Sequence, residues 1–412
     1  MSRKFLKKNL HFSIVEGSCW AFMFGMGENY LSALSVFLGY SAFQISLLTS
    51  IPQFLGSLFQ LFSNHFLKVF KSQRNFVVIL SYIQALLWLL LVYIIFYKNN
   101  YFFILLWFIS YFTIAYIINP VWISWMGYIV PKRIRSTYHG IRNRNINFFI
   151  LIAILLGGAI LDIFSSNLLY GFSILFFIAF IGRVLSSYFI SRKSQVVIAK
   201  DGTESQFRYF LKNKVTFTFI LFKFLINFSI MFLGALFAIY ILRTLGMNNL
   251  VIGYCGASWW AGNILSSKYW GEFSKKSGYF YILKITTISL SALPFLWILV
   301  YYSGSLKLYI ILILSLIAGI TFSGFSLSSF NLVYDIVDSK DVVKFSSVLR
   351  FSEGLGILFS SMIAGLIADS LYIKNILSDI NFTSVQVSIL VSMFLRIMCL
   401  IFLYKNEKYF NT

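Results

Sequence analysis

Long apolar runs alternate with short polar segments along almost the whole chain. Runs of about 20 apolar residues are long enough for a helix to cross a hydrocarbon core roughly 30 Å thick. Backbone groups in lipid must be satisfied within the segment, which favours helices for such runs. The pattern therefore predicts an all-α polytopic membrane protein with twelve transmembrane helices. They lie near residues 12–38, 43–65, 75–97, 101–128, 143–165, 168–190, 213–242, 249–270, 280–302, 306–334, 347–370 and 383–404.

The composition supports this interpretation and removes others. Of the 412 residues, 59% are hydrophobic and 20% are aromatic, and the mean hydropathy is +0.82. This leaves too little polar surface for a soluble protein. In a soluble chain, the net charge of +21 would suggest a nucleic-acid partner, so the placement of the basic residues decides between the two interpretations.

Basic residues concentrate in loops on one side of the predicted membrane. If the N-terminus is cytoplasmic, 26 of the 34 lysines and arginines lie in inner segments and four in outer loops. We therefore expect both termini in the cytoplasm, the N-terminal apolar run to be retained, and no nucleic-acid partner. The polar stretch after the sixth run predicts an N-terminal six-helix bundle at 1–190, a cytoplasmic linker at 191–212 and a C-terminal bundle at 213–412.

The segment VPKRIRSTYHGIRNRN, residues 130–145, contains five basic residues and no acid. Its first role is a topology signal near anionic headgroups. Arg142 and Arg144 have a second interpretation as gate residues, which pair with acids of the equivalent loop in the other half of the chain. Those acids are Asp335, Asp338 and Asp341.

An internal repeat relates the two halves at an offset of 207 positions. Residues 128–162 and 335–369 have equal length, and each ends in Gly-x-x-x-Asp. The same offset places Gly39 over Gly246 without a gap. Repeats of this kind fix an architecture, and here they predict two similar bundles.

Several motifs carry a resemblance to a known family. Pro131, Arg135 and Gly140 follow the pattern after helix 4 of major facilitator superfamily transporters, and the chain resembles that superfamily along nearly its whole length. The Trp-x-Ser-Trp-Met element at 122–126 and the Gly-x-Arg-Asn-Arg element at 140–144 are similar to a poorly characterised bacterial branch. The resemblance implies two pseudo-symmetric six-helix bundles and secondary active transport by alternating access.

The superfamily's acidic motif after helix 2 is eroded in this sequence. Lys68 stands where the resemblance implies an Asp, and Lys275 replaces it in the second-half copy. In the superfamily that Asp helps to lock the cytoplasmic face, so the lock must be built differently here. Glu272 is the nearest substitute and joins Arg135 as a predicted gate residue.

Charged residues inside predicted helices are functional candidates, because each costs at least about 2.5 kcal/mol at the bilayer centre. Glu16 and Lys223 differ by the repeat offset and lie at the same depth of helices 1 and 7. One hypothesis pairs them across a central cavity. The alternatives are that each pairs within its own half, that each faces a lateral cleft, or that the offset is a coincidence.

Glu28, in the outer part of helix 1, is the predicted proton carrier, because a carboxyl removed from water binds a proton more readily. The alternative is a hydrogen-bonded structural acid. Arg183 and Arg396 are expected to snorkel or to form ion pairs between helices. Aromatic and small polar residues of helices 4 and 10 form the predicted solute pathway, including Asn119, Trp122 and Asn331.

The remaining residue types add no chemistry. Cys19, Cys255 and Cys399 fall in separate predicted helices and are expected to pack as apolar side chains. The three histidines have no metal-ligand spacing, so we predict no metal and no cofactor.

The sequence predicts a monomeric secondary active transporter, not an enzyme, in the cytoplasmic (inner) membrane of a bacterium. It is expected to move a small solute by rocking-bundle alternating access, and this transport is coupled to protons. Membrane lipids are its other expected partners. The alternatives are a transporter-like sensor without flux, or a membrane-embedded lipid-processing enzyme, which would need a catalytic cluster. The solute, the direction and the stoichiometry do not follow from the sequence.

Overall fold

The computed structural model describes residues 3–67, 69–70, 72–98, 100–131, 134–195, 207–337, 341–370, 373 and 382–410. Within these ranges twelve helices have 19 or more residues. Their bounds are α1 Arg3–Met26, α2 Ala42–Gln60, α3 Gln73–Tyr97, α4 Tyr101–Ile129, α5 Arg135–Ile163, α6 Leu168–Ser191, α7 Lys214–Gly234, α8 Asn249–Ser277, α9 Tyr279–Val300, α10 Lys307–Ile336, α11 Val342–Asp369 and α12 Ser384–Lys405.

Ten of the described helices are long and apolar enough to cross a membrane. The other two long helices, α1 and α8, carry more polar residues: α1 begins with four basic residues, and α8 ends with two lysines. Both pack inside their halves of the chain, α1 on α5 and α6, and α8 along α10. The predicted all-α multi-pass membrane fold is confirmed.

Three helices begin earlier than the hydrophobic pattern predicts. The α1 helix begins at Arg3 rather than near residue 12, α5 at Arg135 rather than 143, and α11 at Val342 rather than 347. Hydropathy marks only the apolar part of a helix, whereas basic side chains can extend it and still reach water. As a result Arg142 is the eighth residue of α5, and not part of a loop.

The repeat is present in the backbone as well as in the sequence. The α2 and α8 helices begin 207 positions apart, at Ala42 and Asn249, and α5 and α11 begin at the same offset. Gly39 and Gly246 precede α2 and α8 with φ of +80° and +67°. Only glycine adopts this left-handed region at no steric cost, so both halves use the same turn.

The chain divides into two compact units. Unit 1 comprises Met1–Leu38 and Leu55–Gly202, and unit 2 comprises Gly39–Phe54 and Thr203–Thr412. The first part of α2 therefore packs within unit 2. A division of the chain at the predicted linker, residues 191–212, would instead place all of α2 in the N-terminal half. Residues 196–206 of that linker lie outside the described ranges.

Within unit 2, the end of α11 holds the beginning of α2. The carboxylate of Asp369 accepts hydrogen bonds from the backbone N–H groups of Ala42 and Phe43 at 3.1 and 2.8 Å. One turn earlier, a Cβ added to Gly365 would lie 2.7 Å from the Cα of Phe43. Asp369 thus satisfies two of the N–H groups that a helix start leaves without partners, and Gly365 permits the close approach.

Candidate functional site

Three charged side chains meet inside unit 1, and we call Glu16, Arg142 and Lys193 the N-half cluster. Oε1 of Glu16 lies 2.9 Å from Nη2 of Arg142 and 3.3 Å from Nζ of Lys193. Glu16 is 3% exposed and Lys193 1%. One carboxylate therefore serves two cations in a place almost without water.

The neighbouring residues fix the geometry of this cluster. Nε of Arg142 donates to the carbonyl oxygen of Ser13 at 3.1 Å. A Cβ at Gly17 would lie 3.0 Å from Nη2 of Arg142, so a glycine next to Glu16 leaves room for the guanidinium. Trp122 of α4 lies against both cations, with its ring centroid 4.5 Å from Cζ of Arg142 and 5.7 Å from Nζ of Lys193. Such cation–π contacts stabilise desolvated cations.

The segment that follows α6 carries Lys193 and is fastened to the bundle. Asn9 and Ser194 exchange two hydrogen bonds, of 2.8 and 2.9 Å. The indole N–H of Trp125 donates to the carbonyl of Ser194 at 3.2 Å. Burial lowers the pKa of Lys193 to about 8, although the Glu16 carboxylate opposes this shift. Lys193 thus loses its proton more readily than an ordinary lysine does.

A second cluster lies inside unit 2, and we call Lys223, Glu353 and Arg350 the C-half cluster. Nζ of Lys223 in α7 lies 2.8 Å from Oε1 of Glu353 in α11, and Nη1 of Arg350 lies 3.1 Å from Oε2 of Glu353. Nζ of Lys223 also lies 5.1 Å from the ring centroid of Phe325 in α10. Again one acid serves two bases beside an aromatic ring.

These contacts decide between the interpretations of Glu16 and Lys223. Glu16 binds cations of unit 1 and Lys223 binds an acid of unit 2, so the alternative in which each charge pairs within its own half describes this structure. The repeat is nevertheless visible, because α1 pairs with α5 and α7 pairs with α11, with the signs reversed. Ile146, the repeat mate of Glu353, lies one turn after Arg142.

Glu28 has a different environment from Glu16. It lies in a short turn after α1, and its Oε1 accepts a hydrogen bond from the hydroxyl of Tyr111 in α4 at 2.7 Å. The Tyr111 ring stacks on Trp107 and packs edge-on against Trp88. The described partner of this carboxyl is a neutral phenol, which can bond either form of an acid.

The two arginines in the last helices of each half bind polar groups within their bundles. Nη2 of Arg183 donates to the hydroxyl of Ser81 at 2.9 Å. Nη1 of Arg396 donates to the carbonyl of Leu290 at 2.7 Å. That carbonyl lies four residues before Pro294, which has no N–H to donate to it. Arg396 therefore stabilises α9 where its proline removes a hydrogen bond.

Each described gate residue has its own surroundings within its unit. Arg142 is bound to Glu16, Arg144 and Asp335 are exposed, and Asp341 lies 4.0 Å from Lys344 of its own helix. Asp338 lies outside the described residues, as does the side chain of Arg135. The contact that the structure shows for Arg142 is with Glu16 of its own unit, because α5 extends far enough to place it beside that acid.

The remaining predicted site residues have separate surroundings. Asn119 is exposed, Trp122 belongs with the N-half cluster, and the Asn331 amide donates to the carbonyl of Leu327 in its own helix at 2.8 Å. Glu272 lies 3.8 Å from Lys268 and lines a cleft of about 760 Å³ at the end of α8. The cleft's other lining residues are Ser266, Tyr269, Trp270, Phe273, Lys275, Lys276 and Ile320.

Three residues that complete the clusters, Glu353, Arg350 and Lys193, do not appear among the predicted site residues. Glu353 and Arg350 lie six and three residues inside the eleventh apolar run, and an inventory of every acid and base in that run finds them. Lys193 falls in the predicted linker, and only its position three residues after the sixth run hints at burial. Among the described residues no three His, Cys, Asp or Glu side chains gather as a metal site, and the three cysteines are free.

Comparison with known proteins adds the family. A family model described as Major Facilitator Superfamily matches residues 18–323. No curated protein matches the sequence. The fold is similar to a bacterial homologue of the human lysosomal transporter Spinster in an inward-facing and occupied conformation, with a TM-score of 0.72, 14% identity, and 100% of this chain and 98% of that chain covered.

Two further solved structures have the same fold. One is a bacterial homologue of the iron transporter ferroportin in an inward-facing state, with a TM-score of 0.73, 13% identity and full coverage of both chains. The other is a D-xylose-proton symporter, with a TM-score of 0.71, 12% identity, and 97% of this chain and 98% of that chain covered. At these identities the likeness concerns the fold alone.

Proposed function

Because the chain belongs to the Major Facilitator Superfamily, we propose that it is a secondary active transporter that moves a small solute by alternating access with proton coupling. The membrane is the cytoplasmic membrane of a bacterium, with both termini inside, as the basic loops predict. A solved protein of this fold is described as a proton symporter, so the architecture is compatible with proton coupling.

The observation that carries the proton-coupling proposal is the contrast between the two acids of unit 1. Glu16 is bound by Arg142 and Lys193, so its charge is already matched inside the protein. The described hydrogen bond of Glu28 comes instead from the Tyr111 hydroxyl. A carboxyl with a neutral partner can gain and lose a proton without leaving a salt bridge broken, and this is the requirement for a proton carrier.

The C-half cluster supports a role in the solute step. Lys223 and Glu353 are both nearly buried, yet the side chain of Arg350 is 65% exposed. A polar solute that reaches this cluster meets the cation of Lys223 on α7 and, on α11, an acid and an exposed guanidinium. The chemical identity of the solute is left to experiment.

The test uses the purified protein in liposomes that contain a pH-sensitive dye. Gradients of pooled metabolites and amphipathic drugs are applied in turn, and solute-driven proton movement is recorded. We expect at least one pool to drive proton flux in the wild type, and Glu28→Gln to abolish that flux while solute-dependent thermal stabilisation remains. Binding without flux in every pool would favour the sensor, and unchanged flux in Glu28→Gln would remove Glu28 as the carrier.

A further inference from the structure

A polar stripe runs along the buried face of α3. Ser81, Gln84 and Trp88 lie at positions i, i+3 and i+7, which places them on one side of the helix. All three are at most 1% exposed, and this helix packs along α6. The stripe covers about 10 Å along the helix axis, at roughly 1.5 Å per residue.

Each end of the stripe carries a charged group. At one end the Ser81 hydroxyl accepts from Arg183, which is 5% exposed. At the other end Trp88 packs on Tyr111, whose hydroxyl donates to Glu28. The α3 helix therefore joins the buried guanidinium to the proton carrier proposed above.

Polar atoms along this interface lack protein partners. Among the described residues, Nε of Arg183, Oε1 of Gln84 and Oγ of Ser186 are buried without a hydrogen bond. Buried polar groups are seldom left unsatisfied, and ordered water commonly supplies the missing bonds. Three such atoms on two facing helices point to bound water molecules between α3 and α6.

The two ends of this stripe differ in charge, with a cation at one end and an acid near the other. The guanidinium of Arg183 interacts with the charges of Glu16 and Glu28 and with Tyr111. Glu16 already has two cations, whereas an isolated buried cation is costly. Glu28 has no cation within contact among the described residues, so it is the acid on which the charge of Arg183 acts from a distance.

We propose that Arg183 is a positioning residue for the proton step, and that it acts on Glu28 through a file of water molecules held by Ser81 and Gln84. This inference rests on the proposed role of Glu28 as the proton carrier. Arg183 favours the ionised form of Glu28, and the water file transmits its charge and provides a route for the proton. The charged and titratable groups that act on Glu28 are then Tyr111 from α4 and Arg183 from α6.

The experiment is an infrared pH titration of the protonated carboxyl band of Glu28, identified by its loss in Glu28→Gln. We expect Arg183→Gln to move the titration midpoint upward by about one pH unit, the size that Coulomb's law gives for a charge at roughly 10 Å and an effective dielectric constant near 20. Arg183→Lys should restore most of the shift. Gln84→Leu should move the midpoint in the same direction by a smaller amount, and it serves as the test if Arg183→Gln does not fold.

Ser291→Ala is the matched control, because Ser291 is the repeat mate of Gln84 and donates to Thr287 within its own helix. A midpoint that neither Arg183→Gln nor Gln84→Leu moves would overturn the inference and leave the carrier role of Glu28 intact. If Glu28→Gln removes no titrating band, both the proposed carrier and the inference that rests on it fail.

Discussion

The N-half and C-half clusters are built from the same parts and differ in the exposure of their second cation. Each combines one carboxylate, two bases and an aromatic ring from the fourth helix of its half. In the N-half cluster the second cation is Lys193, whose side chain is fully buried, whereas in the C-half cluster it is Arg350, whose side chain is 65% exposed. Separating an ion pair of the N-half cluster therefore requires buried side chains to unpack, while Arg350 can leave the C-half cluster at little cost.

The largest expected effect comes from removing the acid of the N-half cluster. Glu16→Gln leaves two buried cations without a carboxylate, and losing one partner of a buried pair costs about 3–5 kcal/mol. We expect a large fall in the thermal unfolding midpoint of the detergent-purified protein. Glu353→Gln is the matched variant and should cost less, because the side chain of Arg350 is already largely exposed. Equal losses in the two variants would contradict the comparison.

The next largest difference between the clusters is expected when the two charges of an ion pair are exchanged. Lys223→Glu and Glu353→Lys each place like charges together, and the double variant restores an ion pair between α7 and α11. We expect a coupling energy of about 1–3 kcal/mol, the range for contacting residues, measured as a double-mutant cycle on unfolding.

The same reversal in the N-half cluster, Glu16→Arg with Arg142→Glu, should recover less stability. In each double variant one base remains beside the new cation, but Lys193 is fully buried beside position 16, whereas the side chain of Arg350 beside position 353 is 65% exposed and can turn away. A recovery as complete as that of the C-half cluster would show that Lys193 contributes little.

Alkaline pH offers a smaller probe of the N-half cluster. The folded-state pKa of Lys193, about 8, lies below its ordinary value of 10.5. Between these values the unfolded chain binds more protons, so the free energy of unfolding rises with pH through that window. We expect the unfolding midpoint of the wild type to rise relative to that of Lys193→Met between pH 8 and about 10. A constant difference between the two proteins would argue against a buried, titrating lysine.

The smallest effect is expected for Arg350→Ala. Exposed ion pairs contribute about 0.2–1 kcal/mol, and Lys223 still serves Glu353 in this variant. The unfolding midpoint should change little, and the change should shrink further at high salt. A loss as large as that of Glu16→Gln would place Arg350 among the buried ions.

The sequence predicted the helices and the repeat, because both depend on patterns along the chain. Apolar runs mark spans, and the left-handed glycines Gly39 and Gly246 mark equivalent turns. The pairing of charges was less accessible. Which bases pair with Glu16 cannot be read from the sequence. The pairing with Arg142 depends on how far α5 extends, and the pairing with Lys193 depends on where the segment after α6 folds back. Neither has a hydropathy signal, since basic helix ends and basic loops have the same composition.

The two hydrogen bonds between Asp369 and the start of α2 have a consequence for producing the protein as two separate fragments. Cutting the coding sequence in the linker would give two polypeptides of six helices each, but the second would lack Gly39–Phe54, which belongs to its compact unit. Asp369 would lose the two backbone donors it now holds. The two fragments would therefore need to be produced in the same membrane, and the second would mature only when the first supplies α2.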